Sequence, residues 1–340
     1  MQKKKVKIKF AGFWSWFDYK TFLPYQLLSK HYDVIVTDDA DYMFCTLFDN
    51  YEFSTFKGVR IFWTGECFVP DFNLVDYAFT LDNIVFNDRA LQIPYFVYGQ
   101  EISGLIDRKL RTIEDVRKKT GFCNFIYSHE GIPQRTALFN TISTYKKVDS
   151  AGRYLNNMDG FTPGARGAVS GLSNSPKIDF QRNYKFTISC ENYVFPDYVT
   201  EKIAHAFLAD TVPIYFGDKT VAKYFNPKAF INCADFSSWD DCLQYVIEVD
   251  NNDNLYLNML NEPVFYIPDF LDNCEKKIEA FLLHIFEQEY NEAFRRPDTI
   301  WPNKHAQKLL TIKQPRDYKQ LVKDTAIGAY LHKIYKKFTR

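Results

Sequence analysis

The residues of this chain best equipped for chemistry are Cys190-Glu191-Asn192 and the run Pro196-Asp197-Tyr198-Val199-Thr200-Glu201-Lys202. Pro196 and Asp197 are helix-opening residues, so the spacing predicts a helix over 197–208 whose first turn presents free backbone N–H groups and the positive end of its dipole. Anions bind at such ends. Lys202 adds an ammonium that can pair with a diphosphate, and Glu201 a carboxylate that can accept hydrogen bonds from ribose hydroxyls. Val199, Ile203 and Phe207 recur at helical spacing toward the core, which leaves Tyr198 and Lys202 on another face, turned to a cleft. A Glu-Lys pair near a helix start is also an ordinary capping and solubility device. This pair stands out because it closely follows an apolar segment, residues 184–190, that reads as a strand.

Those groups need a frame to hold them. Residues 212–216 are a second short apolar strand, stopped by Gly217, so strand, helix and strand form a crossover of the mononucleotide-binding kind. Upstream, residues 123–128 read as a strand and 135–145 as a helix. The N-terminal part repeats the alternation. Lys5, Lys7 and Lys9 alternate with Val6, Ile8 and Phe10 as a strand with one solvated face, followed by an amphipathic helix over 20–29 and apolar strands at 33–37, 42–47 and 60–63. The pattern predicts an α/β protein with two Rossmann-like domains facing an interdomain cleft. The expected boundaries are 1–99 for the first domain, 100–119 for a charged, helix-like connector and 120–265 for the second domain. A helix within 266–303 should pack back across both, and a basic amphipathic tail should occupy 304–340. The Gly-, Asn- and Ser-rich stretch 150–175 is expected to be loop.

With 340 residues, 46% hydrophobic, the chain can bury a full core. Forty-two basic residues balance forty-two acidic ones, which argues against nucleic acid as a partner. Seven scattered cysteines without a CxxC pair suggest reduced thiols and a cytoplasmic protein. The start MQKKKVKIKF has no apolar run behind it, so neither leader nor spanning helix is expected. In the tail, Ile327, Leu331, Ile334, Tyr335 and Phe338 share a helical face ringed by Lys333, Lys336, Lys337 and Arg340. Such a tail can lie peripherally on an anionic membrane or dock on its own protein.

The segments Tyr184-Lys185-Phe186, Glu191-Asn192, Asp197 to Lys202, Val212-Pro213-Ile214-Tyr215 with Gly217, and Phe225-Asn226-Pro227-Lys228 with Phe230-Ile231-Asn232 resemble the donor-binding region of the α-1,3/4-fucosyltransferases. The similarity extends upstream through Arg135, 150–157, Phe62-Trp63-Thr64-Gly65-Glu66 and residues 73–78. It covers about 10–265 and is nearest the bacterial enzymes that build Lewis-type antigens. The resemblance implies a GT-B architecture, with the acceptor on the first domain and GDP-fucose on the second, and central chemistry that needs no metal. It further implies that Arg135 and Lys202 neutralise the pyrophosphate, Glu201 binds ribose, Asn192 and Tyr198 line the donor pocket, and Glu66 is the general base. The acceptor would be an N-acetylglucosamine-containing glycan of the N-acetyllactosamine type.

Transfer from a β-linked nucleotide to an α-linkage inverts the anomeric centre, which calls for a base on the acceptor side and cations on the leaving side. Glu66 follows the strand 60–63, at an edge that faces the crevice, and the nearby Phe62, Trp63 and Phe68 are expected to raise its pKa. Asp39-Ala40-Asp41 imitates a metal-holding DxD but leads into a strand, so a surface turn is expected. The six histidines show no ligand spacing, and no metal site is assigned. His205 reads as a helix-surface residue; His129 sits near the donor loop. Trp14, Trp16, Phe17 and Tyr19 could stack on an acceptor sugar or be buried together. A transferase of another GDP-sugar, and a binding protein without turnover, remain open readings.

Overall fold

The computed structural model describes residues 3–15, 17–49, 51–99, 101–106, 108–158 and 175–312. Strand β1 (Lys5–Ala11) buries Val6 and Ile8 while Lys7 and Lys9 reach outward to Asp39 at 2.7 Å and Asp38 at 3.3 Å. The acidic triplet is thus a surface turn. Helix α1 (Leu23–His31) opens at Leu23, with Pro24 in its first turn, three residues later than the sequence pattern placed it, because Tyr19–Thr21 is a separate 3-10 turn capped by Asp18. Strands β2 (Asp33–Val36), β3 (Tyr42–Cys45), β4 (Val59–Phe62), β5 (Tyr77–Thr80) and β6 (Ala90–Gln92) complete a parallel sheet in the order β2-β1-β3-β4-β5-β6. β3, β4 and β5 are buried at every residue, as strands covered on both faces must be.

The segment 100–119 is less helical than its charge pattern predicts. Among the described residues only α2 (Ile113–Arg117) is an α-helix there, stapled at its start by a reciprocal Thr112–Asp115 capping box. The second sheet follows: β7 (Gly121–Phe125), α3 (Pro133–Ser143), β8 (Val148–Ser150), α4 (Ser175–Gln181), β9 (Tyr184–Cys190), α5 (Glu201–Leu208), β10 (Val212–Phe216) and β11 (Ile231–Asn232). Its parallel order is β11-β10-β9-β7-β8. Helices α6 (Trp239–Asn251), α7 (Asp253–Asn261), α8 (Phe270–Glu287), α9 (Tyr290–Ala293) and α10 (Ile300–Leu310) close the described chain. The expected tail lies outside the described residues beyond Ile312, as do residues 159–174 of the expected loop.

Helix α8 turns its apolar face to the first sheet: Phe286 packs against Tyr42 in a tilted pair with ring centroids 4.4 Å apart, and Phe281 meets Tyr77 and Phe79 edge-on. An aromatic chain also joins the halves. Phe96, at the end of the first unit, lies 4.7 Å from Phe225 and 5.9 Å from Phe270, and Phe225 meets Phe207 of α5. One apolar core therefore runs across the junction, which restricts how far the two sheets can swing apart.

A second tie is ionic. The fully buried Asp76 carboxylate accepts from the backbone N–H groups of Arg60 at 2.7 Å and of Arg295 and Arg296 at 2.8 Å, and pairs with the Arg296 guanidinium. Replacing Arg296 with Met strands that charge. The expected loss is about 3 kcal/mol of unfolding free energy, read by urea titration.

Candidate active site

The strand order of the second sheet reverses between β7 and β9, and the crevice at the carboxyl ends of such neighbours is where parallel α/β sheets bind ligands. Arg135 enters this point from the first turn of α3. Its Nη1 donates to His129 O at 3.0 Å and its Nη2 to Cys190 O at 2.9 Å and Asn192 Oδ1 at 2.8 Å. The guanidinium lies over the Tyr127 ring, 4.0 Å from its centroid. Tyr127 in turn donates to Ile188 O and accepts from Cys190 N–H at 2.6 Å. Arg135 thereby ties the ends of β7 and β9 together. It is fully buried, beneath the crevice and not on its surface, and it orients Asn192.

Cys190 is fully buried, and burial pushes its thiol up to about 12, so it serves as an apolar packing residue.

The helix expected from 197 starts four residues later. Asp197 adopts a left-handed backbone with φ +61°, held by hydrogen bonds to its carboxylate from Tyr224 Oη at 3.0 Å and Lys223 Nζ at 3.2 Å. Residues 197–200 are a loop, and Tyr198 is buried in it instead of sharing a helix face with Lys202. Thr200 is the N-cap, and Glu191 satisfies it from the end of β9: its Oε1 accepts from Thr200 N–H at 2.8 Å and its Oε2 from Thr200 Oγ1 at 2.6 Å. A carboxylate of the protein already answers the helix dipole here. Any anion bound nearby must be held mainly by side chains.

Lys202 is the side chain placed to do so. Its Nζ contacts Thr200 Oγ1 at 2.9 Å, Glu191 Oε2 at 3.2 Å and Glu201 Oε1 at 3.3 Å. Burial works to lower its pKa, but Glu191 and Glu201 outweigh burial and raise it well above the ordinary lysine range. Glu201 is the counterpart: burial works to raise its carboxyl, while Lys202 first and Lys177 after it hold it down to about 2. Both groups are charged at neutral pH.

Glu66 stands on the other side. It follows β4 through Thr64, whose Oγ1 accepts from Glu66 N–H at 3.1 Å. The residue is solvent-exposed, yet protein crowding raises its carboxyl above the ordinary range; Lys202 opposes the shift and Glu201 adds to it. Glu66 therefore feels charges that belong to the second sheet. Burial raises the Tyr95 phenol well above its ordinary range, Glu201 and Glu66 adding to the shift and Lys202 opposing it, and its ring packs so closely on Gly65 that a Cβ there would lie 2.2 Å from Tyr95 Cε2. Gln92 Nε2 donates to Tyr224 Oη at 2.9 Å, and Tyr224 donates to Asp197, a latch from the edge strand β6 to the loop before Lys202.

Sequence reasoning misplaced His205, which is buried against Lys177 and not on a helix surface. It gave Glu191 no role, although the cap depends on it. His129 is exposed at the mouth, its imidazole lowered by partial burial and by Arg135, Lys202 and Arg153, which marks a local excess of positive charge. Among the aromatic residues considered for an acceptor, Phe17 and Tyr19 pack on Phe10 with centroids 5.4 and 5.7 Å away, Trp14 meets Phe48 at 5.8 Å, and Trp16 lies outside the described residues. Among the described residues no group of three His, Cys, Asp or Glu is arranged to hold a metal ion, and no helix is long and apolar enough to cross a membrane.

Residues 116–266 match the C-terminal region of glycosyltransferase family 10 (fucosyltransferase), and residues 8–98 match the alpha-(1,3)-fucosyltransferase FucT N-terminal domain. The alpha-(1,3)-fucosyltransferase FucT of Helicobacter pylori is 30% identical over 329 residues, 84% of this chain and 66% of that protein. The 4-galactosyl-N-acetylglucosaminide 3-alpha-L-fucosyltransferase 9 of Rattus norvegicus is 40% identical over 198 residues, 56% of this chain and 49% of that protein. A protein of Acanthamoeba polyphaga mimivirus is 29% identical over 255 residues, 74% of this chain and 41% of that protein. The chain thus spans less than two thirds of the curated relatives it matches. Among solved structures, an alpha1,3-fucosyltransferase superposes with a TM-score of 0.71 at 27% identity, covering 88% of this chain and 93% of that one. A crystal structure of alpha1,3-fucosyltransferase with GDP-fucose superposes at 0.65 with 26% identity, over 88% and 93%. Two parallel α/β sheets meeting at a cleft, matched to family descriptions on both sides of it, make this chain a GT-B protein and a member of glycosyltransferase family 10, the fucosyltransferases.

Proposed function

We propose that this protein is an inverting α-1,3-fucosyltransferase that moves L-fucose from GDP-β-L-fucose to a hydroxyl of an N-acetylglucosamine-containing glycan. The observation that carries the reading is the Glu191–Thr200–Lys202–Glu201 cluster at the start of α5, beside the carboxyl end of β9 at the sheet's switch point, together with the GDP-fucose held by a similar solved enzyme. A base on one wall and a cation on the other is what a single in-line displacement needs. Lys202 exchanges a protein carboxylate for the diphosphate, Glu201 accepts the ribose hydroxyls, and Asn192 and Tyr198 border the donor. Arg135 adds its charge from the floor of the crevice. GDP departs against these cations, so no proton donor and no divalent metal is required on the leaving side.

The acceptor enters from the first domain. Trp14 and the exposed Phe48 flank the carboxyl ends of β1 and β3, where that sheet reverses its own order, and offer a surface for a sugar face. The name of the rat relative supports an N-acetylglucosaminide acceptor. A Lewis-type or lipopolysaccharide glycan made at the cytoplasmic face, with the basic tail on the membrane, fits the same reading.

Initial rates with GDP-fucose and GDP-mannose on N-acetyllactosamine test the donor. We expect kcat/KM to favour GDP-fucose by at least about tenfold; preference for GDP-mannose would overturn the assignment. The pH profile tests the base. Glu66 works deprotonated and its pKa is raised, so kcat/KM is full at neutral pH and falls as pH drops through the shifted value. The acidic limb should lie above the ordinary carboxylate range and vanish in Glu66→Gln.

A further inference from the structure

We infer that Lys177 and His205 form a positioning pair behind Glu201, holding its carboxylate for the nucleotide ribose once Lys202 turns to the diphosphate. The inference rests on the reading of Glu201 as the ribose acceptor.

The argument begins with donors. An ammonium has three, and Lys202 directs them to Thr200, Glu191 and Glu201. To bind a phosphate oxygen it must release one acceptor. Glu191 is fully buried and already caps Thr200, so losing Lys202 would leave a charge stranded in the interior. Glu201 makes the longest of the three contacts, 3.3 Å, and its side chain is 28% exposed. It is the partner that can be let go. Released, a carboxylate at a cleft wall would be free to take other rotamers, and the ribose would have to order it again.

The protein supplies a second cation at that place. His205 follows Glu201 by one helical turn, and Lys177 reaches it from α4 with Nζ 3.4 Å from Nδ1. Lys177 is only 8% exposed, and among the described residues no carboxylate lies within ion-pair distance of its ammonium. An ammonium cannot accept a hydrogen bond, so Nδ1 is the acceptor and the imidazole is neutral. Burial, reinforced by Lys177, pushes the His205 ring down to about 3, in keeping with that assignment. Burial likewise lowers Lys177 to about 8, against the attraction of Glu201 and Glu191 and with Lys202 and Arg135 adding to the fall. Sinking an ammonium with no carboxylate of the described residues against it is costly, and Lys177, in contact with His205 one turn from Glu201, brings a positive charge to the protein side of that carboxylate. Lys177 supplies the charge and the neutral His205, one helical turn from Glu201, holds it in place; neither needs to touch the nucleotide.

Calorimetric titration of the full chain with GDP and with 2′,3′-dideoxy-GDP separates positioning from bulk structure. The wild type should prefer GDP by at least about tenfold, and Glu201→Gln should abolish most of that preference. Lys177→Met should cut the preference about threefold or more while leaving the dideoxy affinity nearly unchanged, and Lys177→Arg should restore it. If Lys177→Met fails to fold, His205→Gln reads the same ratio. Equal weakening of both nucleotides, or an unchanged ratio beside a sensitive Glu201→Gln, would overturn the pair's role. Retention of the preference in Glu201→Gln would remove the ribose reading itself, and the inference with it.

Discussion

Replacing Glu66 with Gln is expected to lower kcat for the proposed transfer by at least about a hundredfold and to leave GDP affinity within about twofold. The amide keeps the shape of the side chain and the backbone bond to Thr64 Oγ1, so the fold of the turn after β4 survives. What disappears is the capacity to take the proton of the attacking hydroxyl. Without it the acceptor oxygen must attack as a neutral alcohol, and general base catalysis of this kind is worth about two to four powers of ten. GDP affinity is spared because the second domain supplies the residues proposed to hold the nucleotide. A transfer rate within fivefold of wild type in a folded Glu66→Gln protein would remove Glu66 from the base role.

Lys202→Met is expected to lower kcat/KM by about a hundred- to a thousandfold, the usual effect of removing a preorganised group from a developing charge. Unlike the change at Glu66, it should also weaken GDP binding and stability. Glu191 is fully buried, and once Lys202 is gone only Thr200, among the described residues, answers its carboxylate. Breaking a buried pair in this way costs about 3–5 kcal/mol, readable in urea. The double variant Lys202→Met with Glu191→Gln recovers much of the stability and none of the activity. That divergence distinguishes loss of the leaving-group cation from simple unfolding. Were activity to return along with stability, Lys202 would be a structural residue.

The alternation of strands and helices was readable because apolar runs such as 184–190 and 212–216 are long enough to be buried on both faces. Short pieces were harder: β6 has three residues and no distinctive periodicity. The helix start was misread for a tertiary reason. Pro196 and Asp197 carry the local signal of a cap, but Tyr224 and Lys223 claim the Asp197 carboxylate, and Glu191 from the neighbouring strand caps Thr200 instead. A reading of neighbours along the chain cannot see a cap delivered across a sheet.

The same limit applies to depth. Arg135, Glu201 and Lys202 were identifiable by type and motif, yet the sequence does not say that Arg135 lies fully buried under Asn192. His205 looked like a surface residue because it shares a polar helix face with Glu201. Lys177, 28 positions upstream, closes over that face. The union of the two halves through Phe96, Phe225 and Phe270 was equally hidden, since each aromatic also suits a core of its own domain. That shared core has a functional consequence. Because it joins the two sheets, only a modest closure should separate this arrangement from a reacting complex.

The claim that a base on the first domain and a cation on the second act in one inverting displacement is tested most directly by the anomeric configuration of the product. GDP-β-L-fucose labelled with carbon-13 in the sugar is incubated with N-acetyllactosamine and followed by NMR. An α-linked fucose on the 3-hydroxyl of N-acetylglucosamine is predicted; a β-linked product would contradict the mechanism.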